Sequence, residues 1–219
     1  MFELPLFPLN TVLFPGMPLN LRIFEDRYKL MMNLCIEKRQ PFGVVLIAND
    51  VPDTSMMAET HLVGCTAQIT QVQPLSQGRM NIAAIGRDRF RIDSFKRDEP
   101  YLVGMVEMFP MEDEKTVEVM RKAARLRKLL EKYLFILKEA GQIQFDAAQL
   151  PRDSASVTYL SAILLQNLTT EDRQRLLETE NMLAMIENLN AAYRREVALL
   201  DILMTVPENI DFKGLFSLS

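Results

Sequence analysis

A chain of 219 residues, 48% hydrophobic and 25% charged, has the composition of a globular protein and not of a disordered or fibrous one. With 29 acidic residues against 25 Lys and Arg, the formal net charge is -4, which argues against non-specific binding of nucleic acid or of an anionic membrane, since both require excess cations. The length suits one large domain or two small ones, and no apolar run reaches the ~20 residues of a bilayer span.

The start Met1-Phe2-Glu3 has no basic lead, and Pro5 and Pro8 break the first apolar stretch, so no signal peptide is expected. Pro5, Pro8, Pro15 and Pro18 are spaced through apolar residues. This segment cannot be helical and must be extended pieces joined at fixed bends. Pro18 to Phe24 alternates, with Leu19, Leu21 and Ile23 on one face and Asn20 and Arg22 on the other. A helix is expected from Glu25 to Lys38, which contains no Gly or Pro, opens on acids and closes on bases. Its middle is apolar around most of its circumference, so strands are expected to wrap it in an open, barrel-like sheet.

Phe42 to Ala48 is a continuous apolar run, the pattern of a strand covered on both faces. Val63, Cys65, Ala67 and Ile69 alternate until Val72 breaks the phase, which predicts a bulge. Ser76-Gln77-Gly78-Arg79 is a hairpin turn with Gly78 at positive φ. Strands follow at Met80 to Ile85, Arg89 to Lys96 and Leu102 to Phe109.

Beyond Pro110 the period changes. Glu112 to Ala140 lacks Gly and Pro, and Val119, Ala123, Leu126, Leu130, Tyr133 and Leu137 form a heptad-like seam, with Gly141 as the C-terminal cap. Further helices are expected from Ser156 to Asn167, after Thr169 or Thr170, and from about Asn181, where Met182, Ile186, Leu189, Tyr193, Val197 and Leu200 share a face. Such stripes are unstable alone and predict a bundle. The division expected is therefore a β-rich subdomain at 1–110, a helical one at 111–205 and a tail at 206–219 without a convincing period.

The residues of catalysis are sparse. His61 is the one histidine, and it sits in a polar loop with no metal-ligand spacing around it. Cys35 and Cys65 lie in apolar stretches and read as reduced core thiols of a cytoplasmic protein. Neither GxxxxGK[ST] nor GxGxxG occurs among the eight glycines. No catalytic residue, metal or cofactor is assigned.

Two surface features remain. Arg121, Arg125, Lys128 and Lys132 form a basic stripe opposite the apolar seam. It reads as a solvated face partnered by Glu118 and Glu131, or as the contact for an anionic partner. Met56 and Met57 stand in the polar loop from Asn49 to His61. They either lid the core or, with the bend Phe14-Pro15-Gly16-Met17, wall a groove for apolar segments, the prolines stiffening one side and the methionines adapting on the other.

The run LPLFPLNTVLFPG at 4–16, followed by LNLRIFEDRY at 19–28, resembles the opening of the Lon protease N-terminal domain family, including its small free-standing bacterial members. The likeness continues in Gly64-Cys65-Thr66-Ala67-Gln68-Ile69, in Gly86 to Ile92, and in Gln174-Arg175-Leu176-Leu177-Glu178. It implies an α+β fold, with a PUA-like pseudo-barrel enclosing one helix and a helical bundle after it. In the family's full-length proteases this domain helps recognise unfolded or damaged substrates, and a similar module occurs in cereblon. The motifs of the ATPase and of the Ser-Lys peptidase are absent from the sequence. The resemblance therefore implies a non-enzymatic module binding unfolded clients, with a protease or chaperone as partner and without membrane or nucleic acid. Alternatives are an RNA-binding PUA-like protein using the basic stripe, and an uncharacterised hydrolase.

Overall fold

The computed structural model describes residues 1–48, 60–96, 98–112 and 115–205, with side chains to residue 202. Met56, Met57 and the tail 206–219 lie outside the described residues. Strands β1 (Phe2–Leu9), β2 (Pro18–Ile23), β3 (Phe42–Leu46), β4 (Val63–Pro74), β5 (Met80–Lys96) and β6 (Val103–Met108) precede helices α2 (Val117–Glu139), α3 (Ser154–Leu164), α4 (Thr170–Glu178) and α5 (Met182–Thr205), with α1 (Asp26–Glu37) between β2 and β3. No described helix is long and apolar enough to cross a membrane.

The strands form one six-stranded sheet, in the order β2-β5-β4-β3-β1-β6, which closes on itself because β5 also pairs with β6. The fold is α+β with a pseudo-barrel, as the resemblance implies. Closure rests on the length of β5, a single strand where the sequence reads two. Its first half pairs with β2 and the second half of β4, and its second half pairs with the start of β4 and with β6. β1 divides in the other sense: Phe2 to Pro5 lie against β6, whereas Leu6 to Leu9 run parallel to β3. A strand with one partner at a time tolerates prolines, since an amide on the unpaired side has no ladder bond to lose.

Inside the barrel sit Leu4, Leu6, Val45, Phe90, Ile92 and Val106. Space for the Phe90 ring comes from glycines on facing strands: a methyl group at Gly43 would lie 2.7 Å from the tip of Phe90 and 2.7 Å from Leu6, and one at Gly64 would also strike that ring and the Val44 carbonyl. The bulges in β4 fall between Cys65 and Ala67 and between Ile69 and Gln71, earlier than the phase break at Val72 suggests. The residue within each is a threonine that compensates the interrupted ladder. Thr66 Oγ1 accepts from the Asp88 amide, and Thr70 Oγ1 donates to the Ala83 carbonyl, each at 3.0 Å. The turn after β4 holds both Gln77 (φ 62) and Gly78 (φ 68) in the left-handed region.

α1 packs on the outside of this sheet. Tyr28, Met31, Met32 and Cys35 are its buried stripe, joined by Phe7, Leu13, Leu19, Ile23, Phe42 and Ile82. Leu34 and Ile36 are partly covered and Leu30 is 57% exposed. The helix is thus covered along one side, and its remaining apolar residues do not draw strands around it.

The helices start and stop at specific partners. α2 begins at Val117, later than the absence of Gly and Pro suggests, because the backbone of Glu112 is engaged in a bridge, its amide donating to Glu180 and its carbonyl accepting from Met182. Thr116 caps α2, and Gly141 ends it at φ 70 with the Gly141 and Gln142 amides donating to Lys138 and Leu137, a Schellman closure. α3 begins at Ser154 because Asp153 caps it, and stops at Leu164, where the Arg173 guanidinium takes the carbonyls of Ala162 and Leu165. Thr169 and Asp172 form a capping box on α4.

The predicted seam of α2 is wholly buried and meets Met182, Met185, Ile186, Leu189, Tyr193 and Val197 of α5. Lys122 pairs with Glu187, and Lys132 with Asp201, so the two helices run in the same direction and α3 and α4 supply the return. Val12 and Phe14 from the β1–β2 connection, Leu46 and Val63 of the sheet and Phe109 just after β6 belong to this same cluster. The join between sheet and helices is therefore largely apolar.

Overpacking a full interior costs about 1–3 kcal/mol. Gly43→Ala is expected to destabilise the protein on that scale in urea denaturation, and Gly43→Ala with Phe90→Leu to cost less than the sum of the separate changes, because both act on one space.

Candidate functional site

The segment Phe14-Pro15-Gly16-Met17 is a tight turn: the Met17 amide donates to the Phe14 carbonyl, with Pro15 at the second position and Gly16 at φ 82 in the third, the arrangement of a type II turn. Gly86 of β5 fastens it. Gly16 donates to the Gly86 carbonyl and Gly86 to that of Met17, each at 2.9 Å, and a Cβ at Gly86 would collide with the Phe14 carbonyl. The bend is rigid because its backbone bonds are made inside the sheet.

From Gly86 the strand runs through Arg87 and Asp88, both exposed, to Arg89, which is only 3% exposed. Arg89 Nη1 donates to the carbonyls of Leu177 and Thr179 at the end of α4, each at 2.6 Å. Carbonyls at a helix C-terminus carry partial negative charge and lack intrahelical partners, so a guanidinium suits them. Its plane lies over the Phe109 ring at 4.5 Å, and Arg91 lies over the same ring at 4.1 Å while pairing with Glu180 at 2.8 Å. Burial pulls the Arg89 pKa below its ordinary value, yet guanidinium stays charged in proteins.

Around this contact the sheet and α4 are linked by further polar bonds. Gln174 Nε2 donates to the Val63 carbonyl at 3.0 Å and to Glu178 at 2.8 Å, and Glu178 meets His61 Nδ1 at 3.0 Å. His61 is thus engaged with a helix more than a hundred residues away. Beside Arg89 opens a cleft of about 380 Å³ between sheet and helices, lined by Pro15, Met108, Phe109, Pro110, Met111, Ala155, Tyr159 and Met182, with Arg87, Asp88 and Arg89. Met108 is half exposed and Met111 partly so.

Of the residues named from the sequence, Pro15 lines this cleft. Met17 is partly buried beside it in the turn, packing on both large cores. Phe14 is fully buried. It supports the turn from within the core and has no surface to offer a ligand. Met56 and Met57 fall outside the described residues. Arg121, Arg125, Lys128 and Lys132 are all exposed along α2. Glu118 and Glu131 pair with Lys122 and Arg127 instead of with the stripe, whose Lys132 pairs with Asp201. The acids follow the cations that share their own face of the helix.

The sequence reading missed Arg89, Met108, Met111, Tyr159 and Met182 as neighbours of one cleft. Only the alternation that puts Phe90 and Ile92 on the opposite face of β5 from Arg89 and Arg91 bears on it. Among the described residues no group of His, Cys, Asp and Glu is arranged to hold a metal ion. Burial raises the Cys35 thiol to about 11 and the Cys65 thiol to about 12, so neither supplies a thiolate at neutral pH.

A family model described as the ATP-dependent protease La (LON) substrate-binding domain matches residues 3–192. The Lon protease of Flavobacterium johnsoniae is 27% identical over 185 residues, which are 82% of this chain and 22% of that protein. The Lon protease of Cytophaga hutchinsonii is 27% identical over 206 residues, 91% of this chain and 25% of that protein. The chain spans about a quarter of the length of these relatives. A Lon N-terminal domain protein from Xanthomonas campestris, 28% identical, superposes with a TM-score of 0.64 over 87% of this chain and 98% of that one. The N-terminal domain of the Mycobacterium avium complex Lon protease, 20% identical, has a TM-score of 0.69 over 88% and 98% of the two chains, a likeness of fold.

Two outcomes follow from the site's geometry. Lys has no planar group to lie over the Phe109 ring, and its shorter side chain does not reach the Nη1 position that serves both carbonyls. Arg89→Lys is therefore expected to cost about 2–3 kcal/mol in chemical denaturation, against less than about 1 kcal/mol for the exposed Arg91→Lys. The raised thiol pKa values mean that both groups are protonated at pH 8, so iodoacetamide should modify neither thiol in the native protein and both once it is unfolded in guanidinium, as read by mass spectrometry.

Proposed function

The chain belongs to the LON substrate-binding domain family, and on that premise we propose that it is a non-enzymatic recognition module for exposed apolar segments of unfolded or damaged client proteins. In this reading residues 1–110 and 111–205 are two subdomains, the cleft between sheet and helices receives the client, and a protease or chaperone of the cytoplasm takes it onward. The observation that carries the reading is the lining of that cleft, where Pro15 and Pro110 accompany the partly exposed Met108 and Met111.

The chemistry suits a recogniser of varied sequences. Methionine side chains are unbranched and polarisable and adapt to different apolar partners. The prolines and the turn fastened to Gly86 do not need to be ordered on binding, which limits the entropy lost. Met108, 50% exposed, presents apolar surface that the fold itself leaves uncovered.

Met108→Ser removes that surface without touching the core. Binding of a reduced, unfolded model protein is expected to weaken about five- to tenfold, the scale of losing one apolar side-chain contact of about 1 kcal/mol. The melting temperature should change by less than about 2 °C, as for an exposed position. Unchanged affinity with an unchanged melting temperature would remove the cleft from the client's path. Affinity should depend little on salt, since apolar contacts are not screened, whereas an RNA held by phosphate contacts would be released steeply.

A further inference from the structure

We propose that the Nε–Nη2 edge of Arg89 is a carboxylate-binding fork within the cleft, so that the module recognises an apolar segment bearing a carboxylate and not apolar surface alone. This rests on the cleft being the client's site.

The guanidinium has three nitrogens, and the structure commits one of them. Nη1 uses both of its hydrogens on the Leu177 and Thr179 carbonyls. Nε and Nη2 are buried and, among the described residues, have no hydrogen-bond partner. These two nitrogens share one edge of the plane, and their parallel N–H groups match the spacing of the two oxygens of a carboxylate, the side-on bidentate geometry that makes Arg–carboxylate pairs strong and specific. Holding Nη1 on the end of α4 and the plane against Phe109 fixes the direction of that edge before any ligand arrives.

Charge points to the same ligand. Arg89 is 3% exposed and its bonded partners are neutral carbonyls. Among the described residues it forms no ion pair; Glu180 lies within its electrostatic reach but is paired with Arg91. A buried cation without a counter-ion is costly, and a donor edge without acceptors adds to that cost. A carboxylate answers both deficits at once, whereas a neutral carbonyl answers only part of one. Asp88 also lines the cleft, but it is exposed at the rim beside the equally exposed Arg87, so the two Arg residues leave the cleft with a net positive charge. The carboxylate has two possible origins, a client's chain terminus or an acidic side chain within its apolar segment.

The test uses the whole 219-residue chain and three fluorescent peptides of one apolar sequence. The first ends in a free carboxylate, the second in an amide, and the third in an amide with one internal Glu. Fluorescence anisotropy should give at least tenfold tighter binding for one or both carboxylate peptides than for the neutral amide, which is about 1.4 kcal/mol. A preference for the first identifies chain termini as the ligand, and one for the third identifies acidic side chains. On binding, the 13C-methyl resonances of Met108, Met111 and Met182 should move, while those of Met80 and Met120 should not.

Equal affinity for all three peptides, with the cleft methionines still responding, would overturn the fork and leave the apolar recognition reading standing. Carboxylate-dependent binding that shifts Met120 instead would overturn the fork by placing the site elsewhere. Failure of every peptide to bind would overturn both readings.

Discussion

Adjacent side chains on a strand must point to opposite faces, and in this molecule that constraint joins two structures that would otherwise be separate. Phe90 points into the barrel, where Gly43 and Gly64 give it room. Arg89 and Arg91 must then point out, and there they stack on Phe109, Arg89 also bonding to the end of α4. Moving the register of β5 by one residue would put a guanidinium in a space shaped for a phenyl ring and turn the ring toward the helix end. The packing of the barrel and the docking of the helices are therefore set by the same strand pairing.

The docking is apolar as well as polar. Val12, Phe14, Leu46, Val63 and Phe109 share a core with the seam of α2 and with α5, so the polar bonds from Arg89 and Gln174 sit beside an apolar interface, where low dielectric strengthens them. The cleft beside them owes its shape to this arrangement. Its lining brings together the buried Arg89 cation, Pro15 of a turn whose backbone is fastened to Gly86, the rings of Phe109 and Tyr159, and methionine and proline side chains. Apolar adaptability and a fixed polar direction are combined in one place.

What the sequence disclosed and what it withheld follow from the range of the forces involved. The seam of α2, its closure at Gly141 and the all-buried β3 were legible because they depend on neighbours within a turn or two. β1 was legible only as extended chain. Its prolines argue against a central strand, and nothing local reveals that each half has a different partner. The same limit hid the site. Arg87, Asp88, Arg89 and Arg91 look like a solvated strand face, and the burial of Arg89 depends on Leu177 and Thr179, almost ninety residues later. The role of His61 is hidden for the same reason, its partner Glu178 being in the same distant helix. Phe14 looked like part of an exposed bend because the sequence gives the turn but not the direction in which its first side chain points. The segments that carry the family resemblance, the opening with its Phe14-Pro15-Gly16 turn, Gly64, the run from Gly86 to Ile92 and Gln174 to Glu178, meet at this junction in space.

The divided pairing of β1 also sets an order of events during synthesis. The first strand emerges from the ribosome carrying Leu4, Leu6 and Phe7, but its partner for residues 2–5 is β6, which ends at Met108. At about 5–20 residues per second, roughly 5–20 s separate the two. Through that interval half of β1 has nothing to pair with, the barrel stays open, and its apolar interior is available to whatever the nascent chain encounters.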